Sequence, residues 1–232
     1  MATSNQPGDP LDPHAAGAAE LAATAFSELV ELMARLRGPE GCPWDREQSH
    51  QSISLNLLEE AYETVDAIDR NDPAHLAEEL GDVLLQVVFH AQMAAESGDF
   101  DITRVIEELI AKLITRHPHV FGDEQAGTPS EVLANWEAIK TREKPRDRIS
   151  DGIPMGLPAL VYAHKVLRRL AGAGKEYKPN QARLFDLTQQ MESGPAAGVT
   201  GELLFEAAAL AREHGIDPEG ALRQEASRRL EE

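Results

Sequence analysis

Apolar residues recur along this chain at the spacing of an α-helix. Leu21, Ala25, Leu29, Leu32 and Leu36 mark one such run, and Gly38-Pro39 ends it. Leu58, Ala61, Tyr62 and Val65 mark an apolar stripe on a helix expected from about Ser52 to Arg70. Asn71-Asp72-Pro73 then breaks the chain, with Asp72 placed to cap the next helix and Pro73 at its first position. That helix should run to about Ser97, with Gly98 ending it. Its middle, Val83-Leu84-Leu85-Gln86-Val87-Val88-Phe89, is apolar almost all round and predicts a buried central helix. Val105, Ile106, Leu109, Ile110, Leu113 and Ile114 predict an amphipathic helix over 103–116. Thr128-Pro129-Ser130-Glu131 is a capping box that opens a helix carrying Trp136 and Lys140. Helices over Ala159–Leu170, Glu202–Arg212 and Pro218–Leu230 follow, and residues 172–200 are weakly patterned. No stretch sustains a period of two, so the fold class is all-α, a helical bundle.

Composition shifts divide the chain. Residues 1–19, rich in Pro, Gly, Ala and Asp, read as a disordered leader. Residues 20–144 form a first domain. Residues 145–158 are a charged, then Pro- and Gly-spaced linker, and 159–232 form a second unit. An internal echo joins the two parts: Gly81-Asp82-Val83-Leu84-Leu85-Gln86 resembles Gly201-Glu202-Leu203-Leu204-Phe205-Glu206.

The 232 residues carry 22 Lys and Arg against 40 Asp and Glu, a formal charge of −18. So acidic a chain is a poor general binder of nucleic acid or anionic membrane, and no stable nucleic-acid partner is expected. It can take a phosphorylated small molecule if metal ions bridge the like charges. Cys42 is the single cysteine, which excludes an intrachain disulfide and a Cys-based zinc site. No run approaches the ~18 apolar residues of a membrane span, and no signal peptide is read, so the expected location is cytoplasmic.

The chemistry concentrates in Glu59, Glu60 and Glu63, then Glu79 and Asp82. At about 100° per residue the first three share one arc, opposite Ala61 and Val65. Glu79 and Asp82, at i and i+3, share a face of the next helix. Two antiparallel helices joined by a short break would bring the five together. Acids on helices ordinarily face water, but Asp82 abuts the most apolar segment of the chain, where a free charge is expensive. Two carboxylates about 4 Å apart repel by roughly 4 kcal/mol at an effective dielectric of 20, which a cation relieves. An all-oxygen set suits Mg²⁺, with Mn²⁺ as a possible substitute. Lys112 and Arg116, and then Trp136 and Lys140, are i, i+4 pairs that would supply phosphate contacts and a base-stacking ring. Taken singly they read first as solvated surface cations and a core tryptophan. Glu47-x-x-His50 has the spacing of a di-iron ligand pair, but no second such pair accompanies it.

These segments together resemble the MazG family of nucleoside triphosphate pyrophosphohydrolases. The resemblance rests on Gly41-Cys42-Pro43-Trp44-Asp45, Leu58-Glu59-Glu60-Ala61-Tyr62-Glu63, Glu78-Glu79-Leu80-Gly81-Asp82 and Arg116-His117-Pro118-His119-Val120-Phe121. It is strong from about Leu21 to Lys144 and thinner beyond. The resemblance implies that Glu60, Glu63, Glu79 and Asp82 hold Mg²⁺. Glu59 matches the acid that orients or deprotonates the attacking water, and Lys112, Arg116, Trp136 and Lys140 match nucleotide-contacting positions. It implies hydrolysis of an NTP or dNTP between the α- and β-phosphates, giving a nucleoside monophosphate and pyrophosphate, by a homodimer that cleans the nucleotide pool. Family members can carry two such domains. Here residues 159–232 lack the paired acids, so the resemblance implies a degenerate, truncated second repeat. A non-catalytic sensor of nucleotide and metal is the alternative from another class.

Overall fold

The computed structural model describes residues 13–143, 148–194 and 196–230. Among them are eleven helices and no strand. In chain order they are α1 (Pro13–Arg37), α2 (Pro43–Glu47), α3 (Ser54–Asp69), α4 (Pro73–Ser97), α5 (Ile102–Arg116) and α6 (Pro118–Phe121). Then come α7 (Pro129–Glu143), α8 (Ala159–Gly172), α9 (Gln181–Ser193), α10 (Ala197–Glu213) and α11 (Pro218–Leu230). The all-α expectation holds.

Helix α1 starts eight residues before Leu21, so 13–19 are helical where the sequence predicts a leader. Five of those seven residues are Ala or Gly, four of them Ala, the best helix former, and Pro13 presets the first turn. The rest of that leader, 1–12, lies outside the described residues. Two compact units divide at Val132/Leu133, within α7, ahead of the 145–158 linker.

In the first unit, α3 and α4 form a tightly packed hairpin. Its turn is short. Asn71 adopts a left-handed conformation at φ 54°, and the Asp72 carboxylate accepts from the backbone N–H groups of Ala74 and His75. Gly98 closes α4 at φ 74°, as its position predicts. The core joins Met33 of α1 and Ile53 to Val88, Phe89 and Met93 of α4, with Phe26, Leu29, Val30, Leu85 and Ile102 against it. The central helix is therefore buried from Val88 to Ala94 save half-buried His90 and Gln92, but Leu80, Leu84 and Val87 stay exposed in this chain.

Arg37 fastens this unit. Its guanidinium donates to Glu96 through Nε (2.9 Å) and Nη2 (2.7 Å), and also to the carbonyls of Asp45 and Gln48. It lies 5.3 Å from the Phe89 ring centroid. One side chain thus ties the end of α1, the single-turn helix α2 and the end of α4.

In the second unit Leu167, Ala208 and Ala209 form the core, with Leu160, Ala163, Tyr177 and Phe205 against it. Helices α9 and α10 make a second packed hairpin. Helix α9 lies in the stretch read as weakly patterned. Leu187 is its fully buried anchor, so too little of an apolar stripe exists to show a period. Helix α10 begins at Ala197, ahead of the expected Glu202. Within the expected linker, Ile153 is buried and Arg169 Nη1 donates to the Asp151 carbonyl at 3.1 Å.

Hydrogen bonds from Arg37 hold the Glu96 carboxyl below its ordinary range. A depressed carboxylate stabilises the fold above its unfolded pKa, and that contribution is lost as pH falls through the folded value. Arg37→Ala should therefore cost roughly 2 kcal/mol at neutral pH, allowing for the solvent at Glu96. The gap to the parent in urea midpoint should narrow on acidification below about pH 4.3.

Candidate metal and nucleotide site

Packing of α3 on α4 decides which face of each helix becomes chemistry. Of the α3 residues that lose solvent, Asn56, Glu60, Thr64 and Ala67 follow the 3–4 spacing of one face, with Asp66 beside them. Leu58, Ala61, Tyr62 and Val65, the expected apolar stripe, point away and remain exposed. The polar face of α3 is the one turned to α4.

Across the seam stand Glu79 and Asp82. One carboxylate oxygen from each of Glu60, Glu79 and Asp82 lies within 4.8 Å of the other two. Glu79 is 6 % exposed; its Oε1 lies 3.2 Å from His75 Nδ1, while its Oε2 is buried with no hydrogen-bond partner. Three gathered carboxylates, one of them with a buried oxygen left unpartnered, fit a hard divalent cation.

The electrostatics agree with that fit. Burial raises the Glu60 pKa, and the charges of Asp82 and Glu63, a hydrogen bond with Glu63 and the charge of Glu79 raise it further. Burial likewise raises Glu79; His75 opposes this, and Glu63, Asp82 and Glu78 add to it. Both shifts say that the ionised cluster lacks compensating positive charge.

The remaining expected residues are placed as follows. Glu63 belongs to the electrostatic cluster but not to the set of three converging oxygens. Glu59 is exposed on α3, 100° from Glu60. Lys112 is exposed and Arg116 half-buried on α5, whose expected apolar stripe also stays open: Leu109, Ile110, Leu113 and Ile114 are each exposed. Trp136 and Lys140 belong to the second unit, where Lys140 Nζ lies 5.5 Å from the Trp136 ring centroid. Glu131 accepts from Gly127 N and Thr128 N and so starts the helix that carries them.

Two residues escaped the sequence reading. His75 is i−4 from Glu79, and Gln86 is i+4 from Asp82 and i+7 from Glu79. The spacing signal was present for both, but neither is an acid.

The second hairpin fills its corresponding face from within. By the sequence echo, Glu202 and Glu206 of α10 stand where Asp82 and Gln86 stand in α4. Arg183 of α9 donates to Glu202 through Nε (2.7 Å) and Nη2 (2.6 Å). Glu206, 2 % exposed, accepts from the Tyr177 hydroxyl and from Asn180 N at 3.0 Å. That acceptor pushes the Tyr177 hydroxyl up to about 12.

Comparison with known proteins places this arrangement. The MazG nucleotide pyrophosphohydrolase domain matches residues 48–121, a span that contains every acid of the cluster together with Lys112 and Arg116. A nucleoside triphosphate pyrophosphohydrolase/pyrophosphatase MazG of Thermotoga maritima is 43 % identical over 209 residues, covering 86 % of this chain and 80 % of its own. A nucleoside triphosphate pyrophosphohydrolase of Escherichia coli K12 is 43 % identical over 222 residues, covering 89 % and 84 %. One of Mycobacterium tuberculosis is 42 % identical over 149 residues, covering 63 % and 45 %. With paired acids on a helical hairpin and relatives of this identity along most of its length, the chain belongs to the MazG family of nucleoside triphosphate pyrophosphohydrolases.

Proposed function

We propose that this protein is a Mg²⁺-dependent hydrolase that splits NTPs or dNTPs between the α- and β-phosphates, releasing a nucleoside monophosphate and pyrophosphate. The observation that carries the reading is the convergence of Glu60, Glu79 and Asp82, together with a buried Glu79 oxygen that has no hydrogen-bond partner. Glu60, Glu63, Glu79 and Asp82 hold the cation. When bound, Mg²⁺, or Mn²⁺ in its place, offsets the triphosphate's charge and makes a bound water more acidic. Glu59, solvated beside this cluster, is positioned to take a proton from the attacking water. The water oxygen bonds to the α-phosphorus as the bond to the bridging oxygen breaks, and pyrophosphate carries that electron pair away. Lys112 and Arg116 contact the phosphates, and for Trp136 and Lys140 a nucleotide-contacting role rests on the family resemblance alone. The choice of the α–β bond rests on the family. Nucleotide-pool housecleaning in the cytoplasm is the physiological setting of this reading. A single cysteine suits a reducing compartment, and no helix of the described residues is long and apolar enough to cross a membrane.

A second copy of the chain is the proposed cover for the open apolar faces of the first unit. Leu58, Tyr62 and Val65 of α3, Leu80, Leu84 and Val87 of α4, and Ile106, Leu109, Ile110, Leu113 and Ile114 of α5 are all exposed, and clustered exposed apolar side chains mark association faces. Residues 159–232 are the degenerate repeat of this reading, with Arg183 in the place of a bound cation.

Asp82→Asn and Glu79→Gln should each lower Mg²⁺-dependent pyrophosphate release at least 100-fold while far-UV circular dichroism stays helical. Orthophosphate as the product, or wild-type turnover in both variants, overturns the assignment. A protein that only binds nucleotide would release neither product. Light scattering should give twice the 25.3 kDa chain mass, and Leu58→Glu, harmless on a solvated face, should return the monomer.

A further inference from the structure

Gln86 stands out as a buried polar side chain that the mechanism leaves idle. It is 7 % exposed, and its Oε1 is buried without a hydrogen-bond partner. A buried acceptor left unpaired costs about 1–3 kcal/mol, so native structures rarely keep one without use. Gln86 shares a face of α4 with Glu79 and Asp82, and helical side chains lean toward the N-terminus of their helix. Its carboxamide therefore leans back over the turn that carries Asp82.

The second hairpin shows what this position needs when no ligand is expected. Glu206, the counterpart of Gln86, is saturated by Tyr177 and Asn180, and Glu202, the counterpart of Asp82, is neutralised by Arg183. Within the first hairpin, among the described residues, no ion pair reaches Asp82 and no donor reaches Gln86 Oε1; the His75 ring meets only Glu78 and Glu79. Both gaps lie on the same face, one turn apart.

We propose that Gln86 is a positioning residue for the cation site: its Oε1 accepts a hydrogen bond from a water in the cation's hydration shell. The inference rests on the metal-site reading above. Mg²⁺ and Mn²⁺ held by a few carboxylates keep several waters, and each such water is a strong donor that needs an acceptor. Outer-shell acceptors of this kind typically change metal affinity 10–100-fold. Gln86 then fixes the orientation of the hydrated ion, and through it the carboxylates of Asp82 and Glu79.

The test is Mn²⁺ binding to the full chain by electron paramagnetic resonance, without nucleotide, alongside thermal melting of the metal-free protein. Gln86→Leu keeps the volume and removes the acceptor. Gln86→Glu keeps an acceptor of the same reach. Asp82→Asn is the control for the site itself. The expected result is about tenfold weaker Mn²⁺ binding in Gln86→Leu, with its metal-free melting temperature equal to or above the parent's. Gln86→Glu should bind at least as tightly as the parent. Unchanged affinity in Gln86→Leu overturns the proposal, as does equal loss in Gln86→Glu, which would mean packing alone. A fall in metal-free stability that matches the loss of binding also overturns it. If Gln86→Leu is silent while Asp82→Asn loses Mn²⁺, the positioning role alone fails. If the parent binds no Mn²⁺, the metal-site reading falls with it.

Discussion

A carboxylate withdrawn from water needs a positive partner, and the seam between α3 and α4 withdraws several at once. Glu60, Glu79 and Asp82 bring oxygens within 4.8 Å of one another, with Glu63 close enough to act on both glutamates. Pairs at that distance repel by roughly 4 kcal/mol at an effective dielectric of 20. The surrounding fold must hold that repulsion. The short hairpin turn and the capped start of α4 join the two helices, and the Arg37 clasp fixes the far end of α4 to α1 and α2. Strain of this sort is what a site carries when binding is meant to relieve it.

The same packing choice explains the exposed surface. A helix has one face to give to a neighbour. Helix α3 gives its polar face to α4, so its apolar stripe stays exposed. Helix α5 follows the same logic with no buried residue of its own. Acids turned inside and apolar residues left outside are two results of one orientation.

Periodicity revealed that α3 has an apolar stripe but not what covers it, because the covering surface is not encoded by spacing within the helix. Local signals were legible where the physics is local. Asp72, Gly98 and the Thr128–Glu131 box end or start helices as their residue types require. Helices α2 and α6 were not legible, since a single turn has no period to detect. Helix α9 was missed because Leu187 alone is fully buried there. At the site, the i, i+3 acids across a short break announced Glu60, Glu79 and Asp82. Gln86 needed the coordinates, because an amide beside apolar residues reads as ordinary until its oxygen is found without a donor.

Three residues, 70–72, separate the two acid-bearing helices, and Asn71 turns the chain there in a left-handed conformation. So short a joint works as a length gauge. Each residue added to it as helix would slide one helix by about 1.5 Å and rotate it by about 100°, carrying the acids out of register. This joint therefore has almost no freedom to drift. The spacing between the two acidic motifs is itself a structural dimension, fixed by the ion they would share.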